Sequence, residues 1–145
     1  MLIGMELRHP ATEECEAVQA LVQTVVDEIY GGLWTSPPIP IGPTDWSPGW
    51  IAISQGKITG VALTAGEWVE DLWVAANARG VGVGLALLSR CEIEIRERGF
   101  RRARLRVVSS NKKAISFYEA QGWLPEREYP HEKLPVTMTD MGKAL

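Results

Sequence analysis

Apolar residues at Val18, Leu21, Val22, Val25, Val26 and Ile29 recur at i, i+3 and i+4 spacing. That period predicts an amphipathic helix with one stripe facing a core. Thr12 is its candidate N-cap, and Glu13, Glu14 and Glu16 place negative charge at the positive end of the helix dipole. Gly31-Gly32 ends it. Met5-Glu6-Leu7-Arg8 reads as a first strand. From Gly31 to Gly49 no period holds; this Pro-rich stretch carries Leu33-Trp34-Thr35-Ser36-Pro37-Pro38-Ile39-Pro40, and loops of that length are commonly functional. Trp50–Ser54 and Lys57–Thr64 flank Gln55-Gly56 as a hairpin, and Trp68–Val74 is the next strand. Leu85, Leu88, Cys91 and Ile95 mark the core face of a second helix, with Gly99 as its C-cap. Arg101–Val108 is a strand directing Ala103, Leu105 and Val107 inward. Ala114–Gln121 is a short helix closed by Gly122, and Trp123 onward and Pro135–Met141 read as closing strands.

Strands and helices alternate without repeats, and 145 residues fit one domain, 1–145. A composition of 46% hydrophobic and 23% charged residues is that of a globular chain. The net charge of −3 argues against nucleic acid as a partner, because phosphate backbones select clustered positive charge. No apolar run approaches the roughly 20 residues that span a bilayer, so no membrane partner is expected. Met1 to Arg8 lacks a secretion signal. Cys15 and Cys91 form no disulfide framework, so free thiols and a cytoplasmic location are expected. His9 and His131 stand apart from the other candidate ligands, so no metal is expected.

The stretch with the most chemical content is Glu70-Asp71-Leu72-Trp73-Val74, then Arg79-Gly80-Val81-Gly82-Val83-Gly84-Leu85. Three glycines alternating with valines leave backbone N–H groups uncovered just where a helix starts. The first turn of a helix also presents unpaired N–H groups and partial positive charge, so this is an anion site suited to phosphate or pyrophosphate. Arg79 adds a guanidinium able to fork two phosphate oxygens. A Walker A loop is excluded because Leu85-Ala86, not Lys-Ser/Thr, follows Gly84. A dinucleotide fingerprint starting at Gly82 would need a small residue at position 87, which is leucine.

Arg79-x-x-Gly82-x-Gly84 after Leu72-x-Val74 resembles the acetyl-coenzyme A loop of the GNAT N-acetyltransferase superfamily. Asn111-Lys112-Lys113-Ala114-Ile115-Ser116-Phe117-Tyr118-Glu119-Ala120-Gln121-Gly122-Trp123 resembles a second block of that family, with Trp for its final Phe. The blocks stand in family order and spacing. The resemblance implies an α/β (α+β) fold: a mixed, largely antiparallel central sheet with a splayed parallel strand pair, flanked by helices. It implies acetyl-coenzyme A as cofactor, the backbone of Leu72, Trp73 and Val74 along the pantetheine arm, and the amides of Gly80, Val81, Gly82, Val83, Gly84 and Leu85 on the pyrophosphate with Arg79. Asn111 would bond the cofactor and also cap a helix. Tyr118 would serve the departing thiolate.

The acceptor would be a small-molecule or peptide primary amine. Glu70 and Asp71 are the candidate bases, which strand alternation places on opposite faces. Trp34 and Trp46, with Trp50, could rim an amine pocket through cation–π contact, and Arg106 would suit an acceptor that carries a carboxylate. Ala76 stands where the family commonly has proline and Val81 where it often has a basic residue. Two further readings stay open, a domain that binds coenzyme A without turnover and an interaction domain with a purely structural turn, as does association into a homodimer.

Overall fold

The structure, a computed structural model, describes residues 4–31 and 43–145. Among the described residues, seven strands form a sheet in the order β1 (Met5–Arg8), β2 (Trp50–Ser54), β3 (Lys57–Ala65), β4 (Trp68–Val74), β5 (Arg102–Val108), β7 (Thr137–Ala144), β6 (Leu124–Pro130). The β1–β2, β2–β3, β5–β7 and β6–β7 pairs are antiparallel, whereas β4 and β5 run parallel, in register at Trp68–Arg104 and Val69–Leu105. Three α-helices accompany the strands among the described residues: α1 (Cys15–Tyr30), α2 (Val83–Glu97) and α3 (Lys112–Ala120). This is the mixed architecture the resemblance implies.

Contacts divide the chain into two compact units, Met1–Leu63 with Asp71–Cys91 and Thr64–Glu70 with Glu92–Leu145. Strands β3 and β4 and helix α2 contribute residues to both.

In the first unit most of the predicted stripe of α1 supplies the core: Val18, Val22 and Val26 pack with Ile51, Val61 and Trp46, whereas Ile29, expected on the same stripe, is exposed in the last turn of the helix. The α1 start differs from expectation. Thr12 opens a short 3-10 turn, Thr12–Glu14, with Ala11 at its N-cap, and α1 begins at Cys15. The capping work falls to Glu14, whose carboxylate accepts the Ala11 N–H at 2.8 Å and both Arg8 terminal nitrogens at 2.7 and 3.0 Å. The Gln55-Gly56 hairpin forms as expected, with φ of 51° and 75° at its two central residues. Helix α2 also departs from the reading. Its buried positions are Val83, Leu87, Leu88, Cys91 and Ile95, while Leu85 is exposed. A helix starting at Val83 repeats its inner face about every four residues, which selects Leu87 and turns Leu85 outward. Cys15 is part-exposed and Cys91 buried, and neither is in a disulfide.

In the second unit Ala103, Leu105 and Val107 are buried, as the alternation predicts, together with Val69, Trp123 and Met141. Trp123 donates its indole N–H to Glu92 at 3.4 Å. Among the described residues, no helix is long and apolar enough to cross a membrane.

The Arg8 contact holds the Glu14 carboxyl at about 2, against 4.5 ordinarily, with the Ala11 N–H adding to the effect. A carboxyl whose pKa is lowered by folding stabilises the fold above its unfolded value, and that contribution disappears as pH falls through the folded one. Glu14→Gln should therefore melt below the wild type at pH 6, with the gap closing between about pH 4.5 and 2. Melting temperatures across that range check this, and a gap independent of pH would assign the effect to packing.

Candidate active site

The glycine turn belongs to the first unit. Strand β4 ends at Val74, a 3-10 turn occupies Ala76–Ala78, and Arg79 is extended. Gly80 and Gly82 then adopt φ of 79° and 92°, in the left-handed region that excludes most side chains. A β-carbon built on Gly80 would meet nothing within 4 Å, so the space above this backbone is open. The Ala86 N–H closes onto the Gly82 carbonyl at 3.0 Å. The amides of Val83, Gly84 and Leu85 precede that bond and have no helical acceptor of their own. The side chains of Val81 and Leu85 are exposed. An open, glycine-lined backbone leading into a helix start fits the pyrophosphate of a nucleotide cofactor.

Beneath the turn, Gly60 of β3 holds α2 close. A β-carbon there would lie 2.9 Å from Leu87, 3.0 Å from the Trp73 carbonyl and 3.2 Å from Val83. Only glycine lets the first turns of α2 approach β3 so closely.

Arg79 is placed differently from the sequence expectation. Its guanidinium forks the Glu28 carboxylate of α1 at 2.7 and 2.9 Å, and its Nε donates to the Val74 carbonyl at 3.1 Å. All three nitrogens are thus engaged within the protein. The Arg79 contact draws the Glu28 carboxyl below the usual range.

Of the two candidate bases, Asp71 lies in the first unit and accepts the indole N–H of Trp73 at 2.9 Å. Trp73 in turn packs against the α1 core. Leu72 and Val74 are half-buried. The expectation that Trp46 rims an acceptor pocket is not met. Its ring is 2% exposed among Val18, Val22, Val26, Ile51 and Val61, and its N–H donates to Gln19 at 2.6 Å. Aliphatic stripes on both α1 and the hairpin close over it. Trp50 is half-buried, with the His9 ring 4.1 Å and the Arg90 guanidinium 4.4 Å from its centroid. The His9 Nδ1–H donates to Gly49. Trp34 lies outside the described residues.

The second unit holds Glu70, Arg106, Asn111 and Tyr118. Asn111 caps α3, its side chain accepting the Ala114 N–H at 3.2 Å, as expected. Tyr118, half-buried on α3, lies edge-on to Phe117 at 5.4 Å and 6.2 Å from the Trp123 ring. Glu70 pairs with Arg106 at 3.2 Å, and Arg106 stacks on Trp68 at 4.0 Å.

The Acetyltransferase (GNAT) family profile matches residues 20–123. The chain belongs to the GNAT family. It is an acyltransferase whose cofactor is acetyl-coenzyme A. No curated protein matches it by sequence. Among solved structures, ribosomal-protein-alanine N-acetyltransferase from Brucella melitensis is 20% identical, with TM-score 0.75 over 97% of this chain and 99% of that one. Ard1 from Thermoplasma volcanium is 17% identical, with TM-score 0.78 over 99% of each chain. The yncA protein of Salmonella typhimurium, solved with its cofactor acetyl-CoA, is 20% identical, with TM-score 0.75 over 97% and 94%.

Two groups of this GNAT chain escape a reading of its sequence. Glu28 stands 51 residues from Arg79 and looks like any exposed helix carboxylate. Asp140 of β7 is 8% exposed, accepts the Tyr129 hydroxyl at 2.6 Å and pairs with Arg127 at 3.3 Å. Burial and then the Asp140 contact push the Tyr129 phenol up. In the sequence, no alternation of apolar residues marks Asp140 as inward-facing, because Thr139, Asp140, Met141 and Gly142 are all buried.

Proposed function

We propose that this chain is a cytoplasmic N-acetyltransferase, working as a single domain over 1–145, that transfers the acetyl group of acetyl-coenzyme A to a primary amine by direct attack. The left-handed glycines at 80 and 82, leading into the first turn of α2, carry this reading. When bound, the cofactor supplies an acetyl thioester. The amides of Gly80 to Leu85 would hold its pyrophosphate, the backbone of Leu72 to Val74 would align the pantetheine arm, and Asn111 would add a polar contact. As the acetyl group passes to the amine, Glu70, Asp71 or water would take the proton that the amine loses. Tyr118 holds a proton at its phenolic oxygen for the departing sulfur. Arg106 would meet an acceptor that carries a carboxylate.

A second reading is favoured by the state of the two carboxylates: Glu70 is paired with Arg106 and Asp71 with Trp73. A domain that binds coenzyme A without turnover needs neither of them as a base. The Brucella protein acts on an alanine of a ribosomal protein, so an amine panel should contain peptide N-termini as well as small amines. Thiol release that requires both acetyl-coenzyme A and an amine supports the transferase. Calorimetric binding of coenzyme A with no release from any amine supports the second reading. Tyr118→Phe should lower turnover by about 10²-fold, the lower end for general-acid help, with coenzyme A affinity kept. Equal turnover at saturation would leave the ring a packing element.

A further inference from the structure

We propose that Arg79 is a strut for the cofactor loop rather than a phosphate ligand, and that Glu28 is the positioning residue that holds it. The inference rests on the reading of the glycine turn as the pyrophosphate site. The guanidinium joins three places: the last turn of α1 through Glu28, the end of β4 through the Val74 carbonyl, and the start of the glycine turn through its own backbone. Both ends of the fork and the Nε are engaged, so a phosphate would gain this charge only by displacing a carboxylate already in bidentate geometry. Opposite charges this close neutralise one another, which leaves the backbone amides as the source of attraction for the anion. What Arg79 supplies is direction: it sets how the backbone leaves β4 and enters the left-handed Gly80.

Two outcomes of opposite sign separate a strut from a masked ligand. If Glu28 merely competes with phosphate, Glu28→Gln frees Arg79 and tightens coenzyme A binding. If Glu28 positions the loop, the same change loosens it. The pair is exposed by about 40% on each side chain, so the expected weakening is modest, about two- to fivefold in Kd by calorimetry. The KM for acetyl-coenzyme A should rise while kcat at saturation holds. Arg79→Lys keeps the charge but loses the fork, and should weaken binding as much as Arg79→Gln. The double variant Glu28→Gln/Arg79→Gln should bind no worse than Arg79→Gln alone; this non-additivity is the mark of a coupled pair, which a general loss of stability does not produce. Dephospho-coenzyme A should show the same ratios, because the effect lies at the pyrophosphate loop. Tighter or unchanged binding by Glu28→Gln, or full affinity in Arg79→Lys, overturns the strut while leaving the cofactor site intact. Failure of the wild type to bind coenzyme A overturns both.

Discussion

Gly82→Val should reduce coenzyme A affinity by on the order of 10²-fold or more while the helices and sheet stay formed. At a φ of 92°, a β-branched residue is an outlier, and keeping that geometry costs roughly 1–3 kcal/mol. The chain relieves the strain by rotating the Gly82 backbone, which turns the following amides away from the anion. Hydrogen bonds to a charged group are worth about 1.5–3 kcal/mol each, and losing two at the lower figure already amounts to about a hundredfold. Calorimetry with coenzyme A, beside far-ultraviolet circular dichroism, reads the two effects separately. Wild-type affinity in the folded variant would move the pyrophosphate elsewhere.

The second large effect concerns a residue that the sequence suggested for substrate contact. Trp46→Ala should destabilise the protein by about 3–5 kcal/mol, the range for emptying a buried aromatic site. The ring is 2% exposed and sits in the core shared by α1, Ile51 and Val61. Urea unfolding measures the loss directly, and acceptor KM should hold in whatever fraction remains folded. Unchanged stability with an altered acceptor KM would return Trp46 to the pocket.

The contrast between these two positions shows what the sequence could reveal. The glycine turn was legible because its chemistry is local: consecutive residues, one missing side chain every second position, a helix immediately after. The α1 stripe and the β5 alternation were legible for the same reason, since each period lies within its own element. Trp46 was misplaced because it lies in an irregular stretch, where no period tells an inward ring from an outward one. Leu85 was misassigned because, at about 100° per residue, it falls outside the arc shared by Val83, Leu87, Leu88, Cys91 and Ile95. The Glu28–Arg79 pair needs two distant segments to meet, and nothing in either segment announces the other. Asn111 stood out through a motif, and its cap also follows from local chemistry.

The two cysteines bear on how this enzyme can be assayed. Cys15 is part-exposed, its thiol donating to the Ala11 carbonyl at 3.6 Å, and Cys91 is buried; a thiol shut away from solvent is inert until the chain opens. A disulfide reagent that reports free coenzyme A will thus also titrate the protein, at one site while it is native and at two once it unfolds. A burst of one equivalent at mixing is the signature of intact enzyme, and a slow second equivalent without acceptor is the clock of its denaturation. Cys15→Ser would clear the first signal and leave Cys91 as a built-in stability gauge running inside the activity measurement itself.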